Sequence, residues 1–148
     1  MPNHEANEDA SERVEQLVLL TERLTELVAA QAKSFETHRP QDAVVHGDEI
    51  GRLANLYRHE SARARADPGL VSQANLTLRA RLVRATEAFD AVLARQQRAV
   101  NAAKTVTEGL VRAIAEEVSS QRQKGSTYGP GAATTIAPAT AITLNKRA

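Results

Sequence analysis

The side chains best suited to chemistry in this sequence are its four histidines, His4, His38, His46 and His59. A metal or general-base role would need a second histidine or a carboxylate one helical turn away, facing an apolar cavity. None has such a partner in an apolar stretch. His59 is followed directly by Glu60, and consecutive residues face different ways on a helix. For the same reason only one of the adjacent acids Glu116 and Glu117 can face any given site. No Gly-x-Ser-x-Gly elbow is present. Gly125-Ser-Thr-Tyr-Gly-Pro-Gly131 is rich in glycine but follows a helical pattern and lacks the lysine of a phosphate loop. With no cysteine, disulfide and thiolate chemistry are excluded. These residues give no basis for an enzyme, a metal site or a cofactor.

The elements that carry these residues are therefore read for what they bind. The 148 residues include only four aromatics, Phe35, Tyr57, Phe89 and Tyr128. The apolar content is mostly Ala, Leu and Val, which suits helices meeting along narrow seams. No apolar run approaches the ~20 residues of a membrane span, and the acidic N-terminus is not a signal peptide. The expectation is a soluble, cytoplasmic protein with no membrane insertion. Net charge is +1. Residues 1–39 hold eight acids against four bases, whereas residues 121–148 hold four bases and no acid. The six arginines from Arg58 to Arg84 lack interleaved aromatics and are interrupted by Glu60 and Asp67, so they read as a solvated face rather than a nucleic-acid surface.

The pattern predicts an all-α fold: an elongated antiparallel three-helix bundle or coiled coil with a long third helix. Residues 1–8 are expected to be disordered, residues 9–123 to form the bundle, and residues 124–148 to be a flexible tail. Asp9 and Glu12 have the spacing of a capping box at the start of the first helix. Leu17, Leu20, Leu24 and Leu27, widened by Val14, Val28 and Phe35, form its apolar stripe, and Pro40 ends it. The second helix runs from Gln41 to about Ala66 on Ile50, Leu53 and Tyr57, flanked by Val45 and Leu56; Gly47 and Gly51 weaken its first half. Asp67-Pro68-Gly69 breaks the chain, and a short turn follows over Leu70–Ala74. Asn75 then caps the third helix. Its seam reads Leu82, Thr86, Phe89, Leu93, Gln96, Val100, Ala103, Thr107, Leu110, Ile114, in steps of four and three, ending near Gln123.

Helix lengths then matter. The first two helices, at 1.5 Å per residue, are roughly 40 Å long and the third roughly 73 Å. The last 20 or so residues of the third should extend past the other two, yet they carry Val106, Leu110, Val111, Ile114 and Val118 on one stripe. An unpartnered apolar stripe reads as a partner site. The competing reading packs it within the bundle, because the first helix is longer or the third bends back. Tyr128, the one aromatic outside the helices, reads either as an interface anchor or as a ring folded back to stop the helix.

Four stretches together resemble the FlgN-type flagellar export chaperones, especially their alphaproteobacterial FlbY-like branch: Glu49-Ile-Gly-Arg-Leu-Ala-Asn-Leu-Tyr-Arg-His-Glu60, the helix Asn101–Val118, Thr127-Tyr-Gly-Pro-Gly131, and Leu144-Asn-Lys-Arg-Ala148. The resemblance implies a cytosolic helical chaperone. Such a protein binds the C-terminal helical segments of hook–filament junction (hook-associated) proteins and delivers them to the type III export gate. Cargo binding maps to Val106, Leu110, Val111, Ile114 and Val118, and docking to the gate component FlhA maps to Tyr128 and Gly129. The tail from Ala132 to Ala148 departs from the pattern, and some members of the branch are described as basal-body or assembly proteins. Two functions stand against each other: an export chaperone, monomeric or weakly dimeric, and a static coiled-coil part or adaptor of basal-body assembly, in which Thr86, Gln96 and Thr107 set the register of an oligomer.

Overall fold

The computed structural model describes residues 2–126, and they are all-α, with no strand among them. The elements are α1 (Pro2–Glu36), α2 (Pro40–Ala43), a 3-10 turn (Val44–His46), α3 (Gly47–Ala66), α4 (Pro68–Ser72) and α5 (Leu76–Ser126). The chain divides into two compact units, residues 1–103 and 104–148. The first contains α1 to α4 and α5 as far as Ala103.

In this unit α1 and α5 run parallel. Ser11 accepts from the Asn75 amide, Glu22 meets Arg81, Gln31 meets Gln96 and Glu36 meets Arg95, so the offset stays between 59 and 65 residues along both helices. The chain from α2 into α3 runs the other way, with Gln31 late in α1 meeting Ala43 of α2 and Arg23, earlier in α1, meeting Glu49 of α3. The expected antiparallel three-helix arrangement is thus present.

The core is narrow and made of small residues. On α1, Val14, Val18, Thr21, Leu24, Val28 and Ala32 are each at most 3% exposed. The predicted leucine stripe is right in direction, but its centre lies at Val18 and Thr21. A buried threonine is tolerated because its hydroxyl donates to the Leu17 carbonyl at 2.7 Å, which leaves no polar atom unsatisfied. One cluster joins Val14 and Val18 to Ala74 and Ala85, with Leu78 and Leu82 against it. A second joins Leu24 and Val28 to Phe89, packed by Leu20, Leu53, Tyr57 and Val92. There Tyr57 and Phe89 meet edge to face at 5.2 Å and 81°, a pairing worth about 0.5–1.5 kcal/mol beyond its buried area.

Several boundaries differ from expectation. Residues 2–8, expected to be disordered, are helical: proline suits the first helical turn and Glu5 lies where an acid favours the N-terminal dipole. Asp9 is therefore inside α1, and the Asp9–Glu12 spacing caps nothing. Pro40 not only follows α1 but starts α2. The second helix is split by a 3-10 turn where two β-branched residues, Val44 and Val45, precede Gly47. Val45 (76% exposed) and Leu56 (48%) lie outside the core instead of flanking it. The short turn before α5 is helix α4, beginning at Pro68.

On α5 the seam is rotated from the expected one. Leu78, Leu82, Ala85, Phe89, Val92, Gln96, Ala99 and Ala103 are buried or half-buried, while Leu93 and Val100 are exposed. Alanines occupy the seam because close helix approach favours small side chains there. Asn75 caps α5 as expected, its Oδ1 accepting from the Thr77 amide at 2.8 Å. The helix continues to Ser126 rather than stopping near Gln123. The expected flexible tail lies beyond the described residues from position 127 onward.

Three ion pairs tie the helices at their rims: Arg23–Glu49 (3.0 Å), Arg81–Glu22 (3.0 Å) and Arg95–Glu36. The hydrogen bond to Arg95 holds the Glu36 carboxyl below its usual pKa, reinforced by the charge of Arg95 and of Arg98. The same pairing raises each of the three arginines.

Candidate partner-binding face

Among its described residues the second unit is the end of α5, from Lys104 to Ser126. Its sequence supports a helix locally. No proline interrupts it, and Lys104 pairs with Glu108 at 3.9 Å and Gln121 with Glu117 at 3.2 Å, both one turn apart. Each such pair contributes about 0.2–0.5 kcal/mol. Gly109 has open space around it, so it weakens the helix without serving a close contact.

What this helix does not do is bury its apolar residues. Val106, Leu110 and Val111 are 60–61% exposed, Ile114 55% and Val118 43%. At 3.6 residues per turn these five fall within an arc of about 140°. That is wider than the two-position seam of a simple coiled coil and matches the face that a helix offers to a groove or to two neighbours. Arg112 and Glu116 lie on the opposite side, and both are exposed. The structure thus brings all five predicted cargo-binding residues onto one exposed face. Tyr128 and Gly129, assigned to gate docking, lie outside the described residues.

Among the described residues no three His, Asp or Glu side chains converge as metal ligands. His4 approaches Glu8 at 3.6 Å, but both are strongly solvent-exposed, so the contact is a surface pair. No described helix is long and apolar enough to cross a membrane.

Sequence reasoning missed a second feature, a cleft of about 570 Å³ in the first unit, lined by residues of the end of α1 and by Arg39, Asp42, Val45 and His46. No spacing rule connects Lys33 to His46. Both line the cleft because the chain turns back after α1, where His38 adopts a left-handed conformation (φ 59°).

No family model matches the sequence, and no solved structure matches it. The chain is 63% identical over 143 residues to the flagellar basal-body protein FlbY of Caulobacter vibrioides, an alignment that covers 95% of this chain and 96% of that protein. Identity at that level runs along almost the full length of both chains, and the chain belongs to the FlbY family.

Proposed function

We propose that this protein is a cytosolic export chaperone of flagellar assembly, without catalytic activity or cofactor. The end of α5 binds amphipathic helical segments of hook-associated proteins, keeps their apolar faces from aggregating, and carries them to the type III export gate. The observation behind this reading is the exposed aliphatic face Val106–Leu110–Val111–Ile114–Val118. A helix laid against it would bury apolar area that water now covers, which is the usual basis of helix-in-groove recognition. The FlbY relative, named as a flagellar basal-body protein, supports the flagellar setting. Tyr128 and Gly129 supply the gate contact, with FlhA as the partner, and the protein works as a monomer or weak homodimer. Neither nucleic acid nor membrane takes part.

The reading is tested in cells in which this chain is replaced by its Leu110→Ser/Ile114→Ser variant. Hook-associated proteins should then be secreted poorly and degraded or aggregated inside, while earlier-exported hook subunits leave normally. Normal secretion of hook-associated proteins by that variant would contradict the assignment.

A second reading, a structural or adaptor coiled coil of the basal body, is favoured by the relative's name as a flagellar basal-body protein. Sedimentation at low micromolar concentration separates the two: a stable oligomer of the isolated chain supports the structural reading, and a monomer or weak dimer supports the chaperone.

A further inference from the structure

The end of α1 and the segment that follows it form a surface with a different chemistry from the α5 face. α1 closes with a Schellman motif. The Arg39 amide donates to the Ser34 carbonyl at 2.8 Å and the His38 amide to that of Phe35 at 3.1 Å, with His38 left-handed between them. The chain then folds back along α1 and is fixed there. Ala43 is buried at 3% exposure, and its carbonyl accepts from Gln31 Nε2 at 3.1 Å. This holds the 3-10 turn Val44–His46 beside the last turns of α1 and frames the open cleft of about 570 Å³.

The cations Lys33 and Arg39 line this cleft together with the imidazole of His46, and none of the three has an ion-pair partner among the described residues. That contrasts with Arg23, Arg81 and Arg95, each of which is tied to a glutamate across a helix interface. Asp42 stands on the same rim and makes no ion pair with them. Val45 of the cleft lining and its chain neighbour Val44 are 76% and 77% exposed, more than any other large apolar residue among those described. Two adjacent valines held in water by an anchored turn, next to unpaired cations in a cleft, match a ligand that carries carboxylate and aliphatic groups in alternation.

We infer that this cleft is a second docking site, independent of the α5 face, for a short acidic segment of a partner protein. A glutamate or aspartate side chain of that segment lies between Lys33, Arg39 and His46, and an adjacent aliphatic side chain rests on Val44 and Val45. Asp42 opposes binding and restricts the site to ligands that meet the cations from the far side. A free inorganic anion would use the cations alone, so the valines distinguish the two.

The test is an amide NMR titration of the full-length protein with three probes: a capped pentapeptide alternating glutamate and leucine, the same peptide with lysine for glutamate, and inorganic phosphate. The expected result is a saturable shift confined to residues 30–46 with the acidic peptide and none with the lysine peptide. Lys33→Ala/Arg39→Ala should weaken that binding about tenfold or more, Val44→Ser/Val45→Ser severalfold, and Asp42→Asn should tighten it. Leu110→Ser/Ile114→Ser should leave it unchanged, which keeps this site separate from the proposed cargo face. The inference is overturned if the acidic peptide shifts nothing or shifts only residues 106–118, if phosphate reproduces the same shifts with the valine variant unaffected, or if Lys33→Ala/Arg39→Ala lowers thermal stability while peptide affinity stays constant.

Discussion

Replacing Leu110 and Ile114 together with serine separates the folding core from the α5 face. The two side chains are 60% and 55% exposed, so the free protein already leaves most of their surface in water. Their removal should cost the isolated chain only helix propensity, up to about 0.5 kcal/mol each. Leu24 of α1 is 1% exposed and packs in one cluster with Phe89 of α5 and with Leu53 and Tyr57 of α3; Leu24→Ala should cost about 2–5 kcal/mol. The loss on the partner side is the reverse. A fully buried aliphatic side chain contributes about 1.5–3 kcal/mol. Scaling by the exposed fractions gives about 2–3.5 kcal/mol for the pair, which is about a 25- to 300-fold loss of affinity. Urea titration followed by far-ultraviolet circular dichroism measures the first quantity. The double variant should stay within about 1 kcal/mol of the parent, and Leu24→Ala should fall well below it. A double variant that loses as much stability as Leu24→Ala would mean that the face is packed in the free protein, and the reasoning from its exposure would fail.

Other outcomes follow from individual contacts. Asn75→Ala removes the cap of α5 and should destabilise the protein by about 1 kcal/mol, measured by thermal unfolding. At position 38, where a side chain is held at φ 59°, His38→Gly should gain about 0.5–1 kcal/mol and His38→Val should lose at least as much. The Glu36 carboxyl is held below its ordinary pKa by Arg95, so it binds fewer protons folded than unfolded. Its contribution is present above the unfolded pKa and is lost as pH falls through the folded one. Glu36→Gln should therefore flatten the acid limb of stability against pH and leave the neutral-to-basic part of the curve parallel to the parent; an unchanged acid limb would show the pair to be idle.

The fold was largely legible in the sequence because helices write themselves in periodic apolar residues and in breakers. Asn75 and Asp67-Pro68 mark real ends, and the leucines of α1 point the right way. The pattern failed where small residues decide. A hydrophobicity reading weights Leu93 and Val100 above Ala85 and Ala99, yet close packing of helices selects the alanines. It also undervalued Thr21, whose hydroxyl is satisfied by its own helix and so behaves as a β-branched apolar residue. The three interhelical ion pairs join residues 26 to 59 positions apart and have no local signature. The α5 face was legible because it is a surplus of aliphatic residues over what the shorter helices could cover. The cleft beside Val44 and Val45 was not, since it exists only after the chain turns back at His38.

The most direct measurement of the central claim is calorimetric titration of the full-length protein with the C-terminal helical segment of a hook-associated protein from the same organism. Saturable binding at one site is expected, with a negative heat-capacity change from apolar burial. Leu110→Ser/Ile114→Ser should lose that binding, and Lys33→Ala/Arg39→Ala should retain it. Binding of equal strength by the parent and the Leu110→Ser/Ile114→Ser variant, or no binding by either, would contradict it.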